Sequence, residues 1–364
     1  MVLNWPQDPG PWTLTMIDID GSFGEGGGQI LRTALSLSAC FTTPFKIKNI
    51  RKNRKKPGLM PQHLAGVRAM AAICGADVEG ASTGSIDLVF QPAKPKPGTY
   101  RFDIGTAGAT SLLLQTLLPP LIVAGAPSSL VLTGGTHVPM SPPFDYIYAV
   151  FIPTLKKLGV TIGASIESYG FYPRGGGKIV VHISPEYALN QSRNIDFTDP
   201  PTVASIRGVS GVGNLPLSIA ERQKTAAEHA LASMGLQVSI ETISVASSGA
   251  GTFIFLKPEG DSCLAGFSSV GERGKRAELV GGEAAAALLE YRVAHASLDP
   301  YLGDQIALYL AMVPGISLFA TSRITQHLMT NLWVIQRFLG ISYTVDGKPG
   351  EPGRVTINGL VRPL

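Results

Sequence analysis

Cysteine is scarce in this chain, and its scarcity limits the sites and compartments that the sequence allows. Only three cysteines occur among 364 residues, at Cys40, Cys74 and Cys263. They are isolated and odd in number, so they offer neither a disulfide framework nor a pair with metal-ligand spacing. We therefore expect a reducing compartment, the cytoplasm.

Long hydrophobic runs are missing as well. No apolar stretch reaches the roughly 18–20 residues that cross a bilayer. Residues 112–126 come closest, but Gln115, Pro119 and Pro120 interrupt them, and we interpret them as a buried helix. Residues 1–12 contain Asp8 and three prolines and do not resemble a secretion signal. We predict no membrane association.

The composition is that of a folded protein with room for an anionic partner. Hydrophobic residues make up 45% and charged residues 15%, which excludes a disordered or highly charged chain. The net charge is only +4, yet residues 46–56 hold seven lysines or arginines and no acid. Such a run is usually a solvated face, and contact with nucleic acid or phosphate is the alternative.

Three stretches share an order of elements that indicates an internal repeat. The first helical segments are residues 28–39, 107–118 and 301–312, the second are residues 62–74, 143–158 and 327–339, and strand-like runs follow at residues 77–91, 161–183 and 342–361. Gly75, Gly159 and Gly340 each follow a second helix, as helix-stop glycines do. The unit therefore reads strand, helix, strand, helix, strand, strand.

The spacing of these units predicts an insertion. Gly75 and Gly159 are 84 residues apart, whereas Gly159 and Gly340 are 181 apart. We predict an α/β (α+β) fold in which residues 1–185 and 295–364 form a large domain of three repeats. A small α/β domain at residues 186–294, with helices at 220–234 and 276–293, would interrupt the third repeat. The alternative is three unrelated α/β segments with coincidental spacing.

A glycine-rich turn follows the first strand-like run, residues 15–20. Its sequence, GEGGGQ, begins at Gly24 and precedes a helix, so its backbone can approach an anion. It lacks the last glycine of a dinucleotide fingerprint, basic residues 51–56 follow the next strand, and the chain has no P-loop motif. Glu25 could hold a divalent cation against a polyphosphate. Stabilisation of a helix N-terminus by an acid is the alternative.

Polar and basic residues gather in sequence near this turn. Arg32 lies one helical turn beyond the glycines, Arg51 and Arg54 lie in the basic run, and Gln62 and His63 open the next helix. Arginine forks match phosphate oxygens, so these residues can hold a terminal phosphate. The alternative is a solvated basic loop.

His327 is the candidate nucleophile. It opens the second helix of the last unit, where Leu328, Leu332 and Trp333 can pack inward and leave the imidazole at the helix mouth. From its position alone, a cap or a surface residue is the ordinary interpretation. The functional alternative is an imidazole that attacks a phosphoryl centre. The sequence has no HExxH motif and no Cys/His cluster.

Several of these motifs together resemble the RNA 3′-terminal phosphate cyclase family. They are residues 21–35 (GSFGEGGGQILRTAL), 57–64 (PGLMPQHL), 170–177 (GFYPRGGG) and 301–305 (YLGDQ), and His327 with Thr330 and Asn331. They occur in the family's order and cover nearly the whole chain. The resemblance implies three repeats like the C-terminal domain of bacterial initiation factor three, with a small domain inserted in the third.

The resemblance also implies a reaction and roles for residues. ATP adenylates a histidine, AMP passes to an RNA 3′-phosphate, and the neighbouring 2′-hydroxyl closes a 2′,3′-cyclic phosphate while AMP leaves. His327 matches the adenylated histidine and Glu25 the carboxylate near a divalent cation, Mg²⁺ or Mn²⁺. The positions lining the nucleotide are Gln115, Pro142, Tyr146, Tyr301, Leu302, Gly303, Asp304 and Gln305. Those handling phosphate are Arg32, Arg51, Arg54, Gln62 and His63.

One departure and two alternatives accompany the resemblance. The family often has a basic residue where Pro61 stands, so one phosphate or RNA contact is in doubt. Relatives without the histidine act as non-catalytic factors in ribosomal RNA processing, whereas this chain has His327. Enolpyruvyl transferases have repeats of related architecture. The sequence leaves the oligomeric state open, and a homodimer is one form that it allows.

Overall fold

The structure is a computed structural model that describes residues 16–184 and 192–360. Residues 1–12, where we looked for a secretion signal, lie outside the described residues, as do Thr15 at the start of the first predicted strand and Val361. Within the described ranges the chain is a mixed α/β protein with four small four-stranded sheets.

The first sheet comes from residues near the N-terminus. Its elements are β1 (Ile17–Asp20), α1 (Gly28–Phe41), β2 (Phe45–Lys48), α2 (Pro61–Cys74), β3 (Asp77–Glu79) and β4 (Leu88–Gln91). The strand order is β1-β2-β4-β3; β1 and β2 are parallel and the other pairs antiparallel. α2 ends at Gly75, whose left-handed backbone (φ +58°) suits glycine. The predicted bounds of both helices are confirmed to within two residues.

The second sheet repeats this order of elements. They are β5 (Thr99–Asp103), α3 (Thr110–Val123), β6 (Ser128–Gly134), α4 (Phe144–Tyr146), a π-helical stretch (Ile147–Phe151), α5 (Ile152–Lys157), β7 (Thr161–Ser168) and β8 (Gly177–Ser184). The strand order is β5-β6-β8-β7, with the same senses of pairing.

The two prolines do not end α3. The expected helical segment 107–118 and the expected buried helix 112–126 overlap, and α3 runs from Thr110 through Pro119 and Pro120 to Val123. Prolines inside a helix remove backbone hydrogen bonds. Here Leu117, Leu118 and Leu121 are fully buried, and this packing outweighs the local loss.

The third sheet is assembled from residues far apart in sequence. Its elements are β9 (Ile195–Phe197), α8 (Leu302–Met312), β14 (Ile316–Thr321), α9 (Gln326–Leu339), β15 (Ser342–Asp346) and β16 (Gly353–Asn358). Read from β9, the order is β9-β14-β16-β15, with β9 parallel to β14. The strand β9 lies in the range 186–294, which we assigned to the inserted domain, yet it pairs with the sheet outside that range.

Between β9 and α8 the chain builds a fourth sheet with a core of its own. The elements are β10 (Thr202–Gly213), α6 (Ser218–Leu231), a 3₁₀ turn (Ala232–Met234), β11 (Gln237–Ser244), β12 (Gly251–Asp261), β13 (Phe267–Val270) and α7 (Ala277–Ala294). The order is β11-β10-β12-β13, which differs from the other three sheets. Ile206, Leu231, Ile254, Leu288 and Tyr291 belong to its buried cluster, which is separate from the main core.

Helix packing brings the three similar sheets into one core. α1 packs against α2, α3 and α9, and α8 packs against α9. Polar bonds cross these contacts: Ser36 Oγ donates to Thr116 O at 2.8 Å, and Thr33 Oγ1 donates to Asn331 Oδ1 at 2.6 Å. The N-terminal ends of α1, α2 and α9 consequently lie near one another. In the described ranges, no helix is both long and apolar enough to cross a membrane.

Candidate active site

His327 and Glu25 meet where the glycine-rich turn approaches the start of α9. His327 Nε2 lies 3.2 Å from Glu25 Oε2. The Nδ1 atom of the same ring is buried and has no hydrogen-bond partner among the described residues. Because the side chain is still 38% exposed, Nε2 is the ring nitrogen that a substrate can reach.

The environment of His327 keeps the imidazole neutral near pH 7. Burial lowers its pKa; Glu25 acts in the opposite sense, and Arg32 and Arg54 lower the pKa further. A neutral imidazole retains a lone pair, which a nucleophile needs. The two arginines lie close enough to act on charge that develops beside this nitrogen.

Glu25 lies between Arg54 and His327. Its Oε2 lies 3.4 Å from Arg54 Nη2, and its Oε1 is buried without a hydrogen-bond partner in the part of the chain that the structure describes. Such an oxygen is available to a metal ion. No cluster of three or more potential metal ligands occurs among the described residues. The donor set therefore fits a hard cation such as Mg²⁺, which often takes one or two protein carboxylates and otherwise phosphate and water oxygens.

Gly27 lets Glu25 and Arg54 reach these positions. A Cβ atom at Gly27 would clash with Glu25 Oε1 and would lie 2.8 Å from Arg54 Nη2. We expect Gly27→Ala to lower AMP loading from ATP at least about tenfold, because sub-ångström displacement of positioned groups has large rate effects. Gly282→Ala is the matched control, since a Cβ there meets nothing within 4 Å. Equal loading by both variants would contradict this account.

Arg32 and His63 form a second polar pair beside the start of α1. Burial lowers the pKa of Arg32 to about 10, with Glu25 opposing, so the guanidinium stays charged; it donates to Gln29 Oε1. Burial, with Arg32 and Arg51, lowers the pKa of His63 to about 3, so this ring is neutral. Met60 N donates to His63 Nδ1 at 3.2 Å, which assigns the proton to Nε2. Arg32 and His63 can therefore donate to phosphate oxygens.

Gln62 and Arg51, which we also predicted to bind phosphate, have surroundings unlike those of Arg32 and His63. Gln62 is the second residue of α2, and its Oε1 lies 3.4 Å from the position that a Cβ at Gly108 would take. Arg51 has a left-handed backbone (φ +54°), and its Nη1 donates to Lys56 O at 2.7 Å and Gly58 O at 3.0 Å. Arg51 therefore uses hydrogen-bond donors of its guanidinium within its own loop.

A buried network that the sequence does not reveal joins α1, α8 and α9. Asn331 Oδ1 accepts from Thr33 Oγ1 at 2.6 Å and from Gln29 Nε2 at 3.0 Å, while Asn331 Nδ2 donates to Asp304 O at 2.7 Å. Burial raises the pKa of Asp304 well above its usual value, and Arg32 opposes this. Asp304 Oδ1 has no partner among the described residues and can accept a ligand donor.

Asp299 organises the predicted nucleotide residues, although no motif pointed to it. This buried carboxylate accepts from Tyr301 N at 2.8 Å and Leu302 N at 3.0 Å, which caps α8, and from Tyr146 OH at 2.8 Å. Gln115 Nε2 donates to Gln305 Oε1 at 2.5 Å. These contacts bring residues of α3, α4 and α8 together.

The remaining nucleotide positions border this group. Tyr301 is 54% exposed and Pro142 is half-buried just before α4, so both present apolar surface to solvent. Leu302 and Gly303 are buried in the first turn of α8. Tyr146 is almost fully buried, so the residues around it, and not its own ring, can contribute to an apolar wall of a nucleotide site.

Tyr146→Phe tests the network around Asp299. Burial raises the pKa of Asp299 to about 6, above the ordinary 3.8, so holding it charged costs stability as the pH rises through this interval. The Tyr146 hydroxyl offsets part of that cost. We expect the variant to lose about 1–2 kcal/mol of unfolding free energy at pH 8 and less at pH 5, measured with denaturant. A loss that does not depend on pH would contradict the proposed pairing.

A neutral histidine beside a carboxylate and two arginines has the chemistry that attack on a phosphorus centre requires. The profile of the family described as RNA 3′-terminal phosphate cyclase matches residues 23–345. Relatives of that name are 45% identical in Pyrobaculum neutrophilum (95% of this chain, 99% of that one), 44% in Methylococcus capsulatus (96% and 96%) and 43% in Pyrococcus abyssi (94% and 98%). The chain belongs to the RNA 3′-terminal phosphate cyclase family, whose members are enzymes of the ligase class.

One solved structure with a similar arrangement is the enolpyruvyl transferase NikO from Streptomyces tendae. The similarity covers 95% of this chain and 50% of that one, at 11% identity and a TM-score of 0.38. A likeness this weak bears on neither fold nor function.

Proposed function

We propose that this chain uses ATP to convert the 3′-terminal phosphate of RNA into a 2′,3′-cyclic phosphodiester, with His327 as the carrier of AMP. The observation that carries the proposal is the 3.2 Å approach of His327 Nε2 to Glu25 Oε2, in a chain that matches the cyclase family from residue 23 to 345. The reaction has three transfers, and this chain has a group suited to each.

In the first transfer, His327 Nε2 attacks the α-phosphorus of ATP. A nitrogen–phosphorus bond forms, the bond from that phosphorus to the bridging oxygen breaks, and pyrophosphate leaves. The neutral ring supplies the lone pair, and attack by Nε2 requires the tautomer whose proton is on Nδ1. Arg32 and Arg54, the cations that act on His327, oppose the negative charge that develops on the phosphoryl oxygens.

Glu25 would hold the divalent cation through its unpartnered Oε1. When bound, Mg²⁺ or Mn²⁺ neutralises charge on the polyphosphate.

In the second transfer, an oxygen of the RNA 3′-phosphate attacks the phosphorus of AMP and the bond to His327 breaks. In the third, the adjacent 2′-hydroxyl attacks the RNA phosphate, loses its proton and expels AMP. Proximity within one ribose supplies most of this acceleration. DNA ends lack the 2′-hydroxyl and cannot cyclise. Arg32, His63 and Gln62 are the groups we assign to the RNA phosphate, with Arg51 and Arg54 beside them.

The nucleotide assignment rests on the group organised by Asp299. We assign the adenine to the surface offered by Tyr301, Pro142 and the region of Tyr146, and the rest of the nucleotide to Gln115, Asp304 and Gln305. In support, Gln115 and Gln305 share a hydrogen bond across two helices. Asp304 Oδ1 has no partner among the described residues.

We also propose that the fold consists of three repeated units with a small domain inserted in the third. Three sheets share one strand order and one set of pairing senses, which supports three repeats like the C-terminal domain of initiation factor three. Because β9 pairs with β14, we place the start of the inserted domain after Phe197.

The three free cysteines favour the cytoplasm as the location of the protein.

The function is tested with an RNA that ends in a 3′-phosphate. With ATP and Mg²⁺, the end should become resistant to phosphatase and AMP should be released, whereas the same RNA with a terminal 2′-deoxyribose should stop at the RNA-adenylate and keep its AMP. A sensitive end on ordinary RNA, with AMP still loaded on the enzyme, would refute the substrate assignment.

A further inference from the structure

Phe23 is an exposed aromatic residue in the glycine-rich turn, two positions before Glu25. Its side chain stacks on Trp333 of α9, with ring centroids 4.0 Å apart and 14° between the ring planes. Phe23 nevertheless remains 42% exposed, while Trp333 is half-buried against the main core. Since one face of Phe23 is covered by Trp333, its exposed area lies on the side away from Trp333. A flat ligand can use that side.

Basic and polar groups border this pair. Asn53 Nδ2 donates to Ser22 O at 3.2 Å, which holds the basic loop of residues 51–56 against the turn. Arg337 lies one helical turn after Trp333 on α9 and donates to Asp18 O at 3.2 Å. Aromatic rings beside lysines and arginines are how proteins bind single-stranded nucleic acid, by stacking bases and neutralising the backbone.

The pair is also next to the proposed reaction centre. Glu25 contacts His327, and the two-residue step from Glu25 to Phe23 spans at most about 7 Å along the chain. Trp333 lies on the same helix as His327. An RNA end whose phosphate is at His327 therefore carries its last bases within reach of Phe23.

We propose that Phe23, backed by Trp333, is a stacking platform for a base at the 3′ end of the RNA substrate. This inference rests on the proposed function, because it takes the stacked base and the reacting phosphate to belong to the same RNA end. Every base has a π face, so the platform would accept any of the four. It would restrict the motion of the end and hold the phosphate toward His327.

The test compares RNAs with and without a base, using enzyme already loaded with AMP so that the ATP step cancels. Three RNAs with 3′-phosphates are needed: an intact one, one abasic at the last nucleotide and one abasic at the nucleotide before it. The measurement is the rate of AMP transfer in a single turnover at low RNA concentration. For the wild type, the abasic RNA that lacks the stacked base should react about tenfold more slowly than the intact RNA. Phe23→Leu should transfer AMP to that abasic RNA and to the intact RNA at the same rate, because leucine packs on Trp333 but offers no π face.

Two variants serve as matched controls. Phe23→Tyr keeps the aromatic face and should keep the wild-type ratio. Phe102→Leu makes the same substitution in another stacked pair, Tyr100 and Phe102 on β5, whose centroids are 5.9 Å apart, and it should also keep the ratio. A wild type that treats all three RNAs alike, or a Phe23→Leu variant with an unchanged ratio, would overturn the proposal.

Equilibrium binding separates failure of the platform from failure of the proposed function. Without ATP, Phe23→Leu should bind intact RNA about tenfold more weakly than the wild type and abasic RNA equally well. This holds even if the protein loads no AMP, an outcome that would refute only the reaction. If Phe23→Leu instead raised the KM for ATP and left the RNA ratio unchanged, the ring would contact adenine and the RNA platform would be refuted.

Discussion

His327→Ala is expected to lower the loading of AMP from ATP by at least about a thousandfold, because the variant has no atom to form the bond to phosphorus. The measurement is retention of α-labelled ATP on the protein after denaturation, with Mg²⁺ present. The fold should survive the change, since His327 is 38% exposed and its Nδ1 has no partner to lose within the described residues.

His229→Ala is the matched control for this experiment. His229 lies in α6, in the fourth sheet's part of the chain, and is exposed. This variant should load AMP as the wild type does. Equal label on the His327→Ala variant would refute the assignment of the nucleophile, whatever the effect on RNA.

Glu25→Gln is expected to lower AMP loading about a hundredfold or more, because a neutral amide holds a divalent cation poorly and charge stabilisation at a reaction centre is worth factors of this size. The shape of the side chain is preserved, so Gly27 and Arg54 can keep their positions. Raising the Mg²⁺ or Mn²⁺ concentration should recover part of the lost rate.

The pH dependence distinguishes this explanation from a change in the ionisation of His327. The carboxylate of Glu25 acts to raise the pKa of His327. Its removal therefore lowers that pKa further and makes the ring more neutral, which by itself would favour attack. The defect should consequently persist from pH 7 to pH 9.

The matched control for the charge change is Glu278→Gln. Glu278 forms an exposed ion pair with Arg222, at 2.8 Å, between α6 and α7. This variant should load AMP normally. A Glu25→Gln enzyme whose rate recovered fully at high pH would contradict the role of the carboxylate in holding a cation.

Local sequence signals predicted the helices well. The apolar period and the glycine stops located α2 and α9 to within one residue, because Gly75 and Gly340 have the left-handed backbone that ends a helix. α3 continues through Pro119 and Pro120, because the burial of its leucines outweighs the backbone hydrogen bonds that the prolines remove. The three-residue strand β9 is too short to show an alternating pattern, and only its pairing with β14 reveals where it belongs.

The candidate site was predictable where a motif carries the chemistry and not where tertiary packing does. The structure brings Glu25 and His327 together across 302 positions of sequence, and the roles that the motifs imply for them stay predictions. Asp299 had no signal, because a lone acid before a helix looks like any cap. The role of Arg51 stays a prediction, since its guanidinium bonds to its own loop. These differences come from hydrogen bonds that form only in the folded chain.

The central claim is that AMP becomes bonded to His327, and peptide mapping of the loaded enzyme tests it most directly. The wild type is incubated with ATP and Mg²⁺ without RNA, digested, and examined by mass spectrometry under conditions that preserve phosphorus–nitrogen bonds. We predict AMP on the peptide that contains His327, and its loss when RNA with a 3′-phosphate is added. AMP on another residue, or cyclised RNA formed with no protein adduct, would contradict the account.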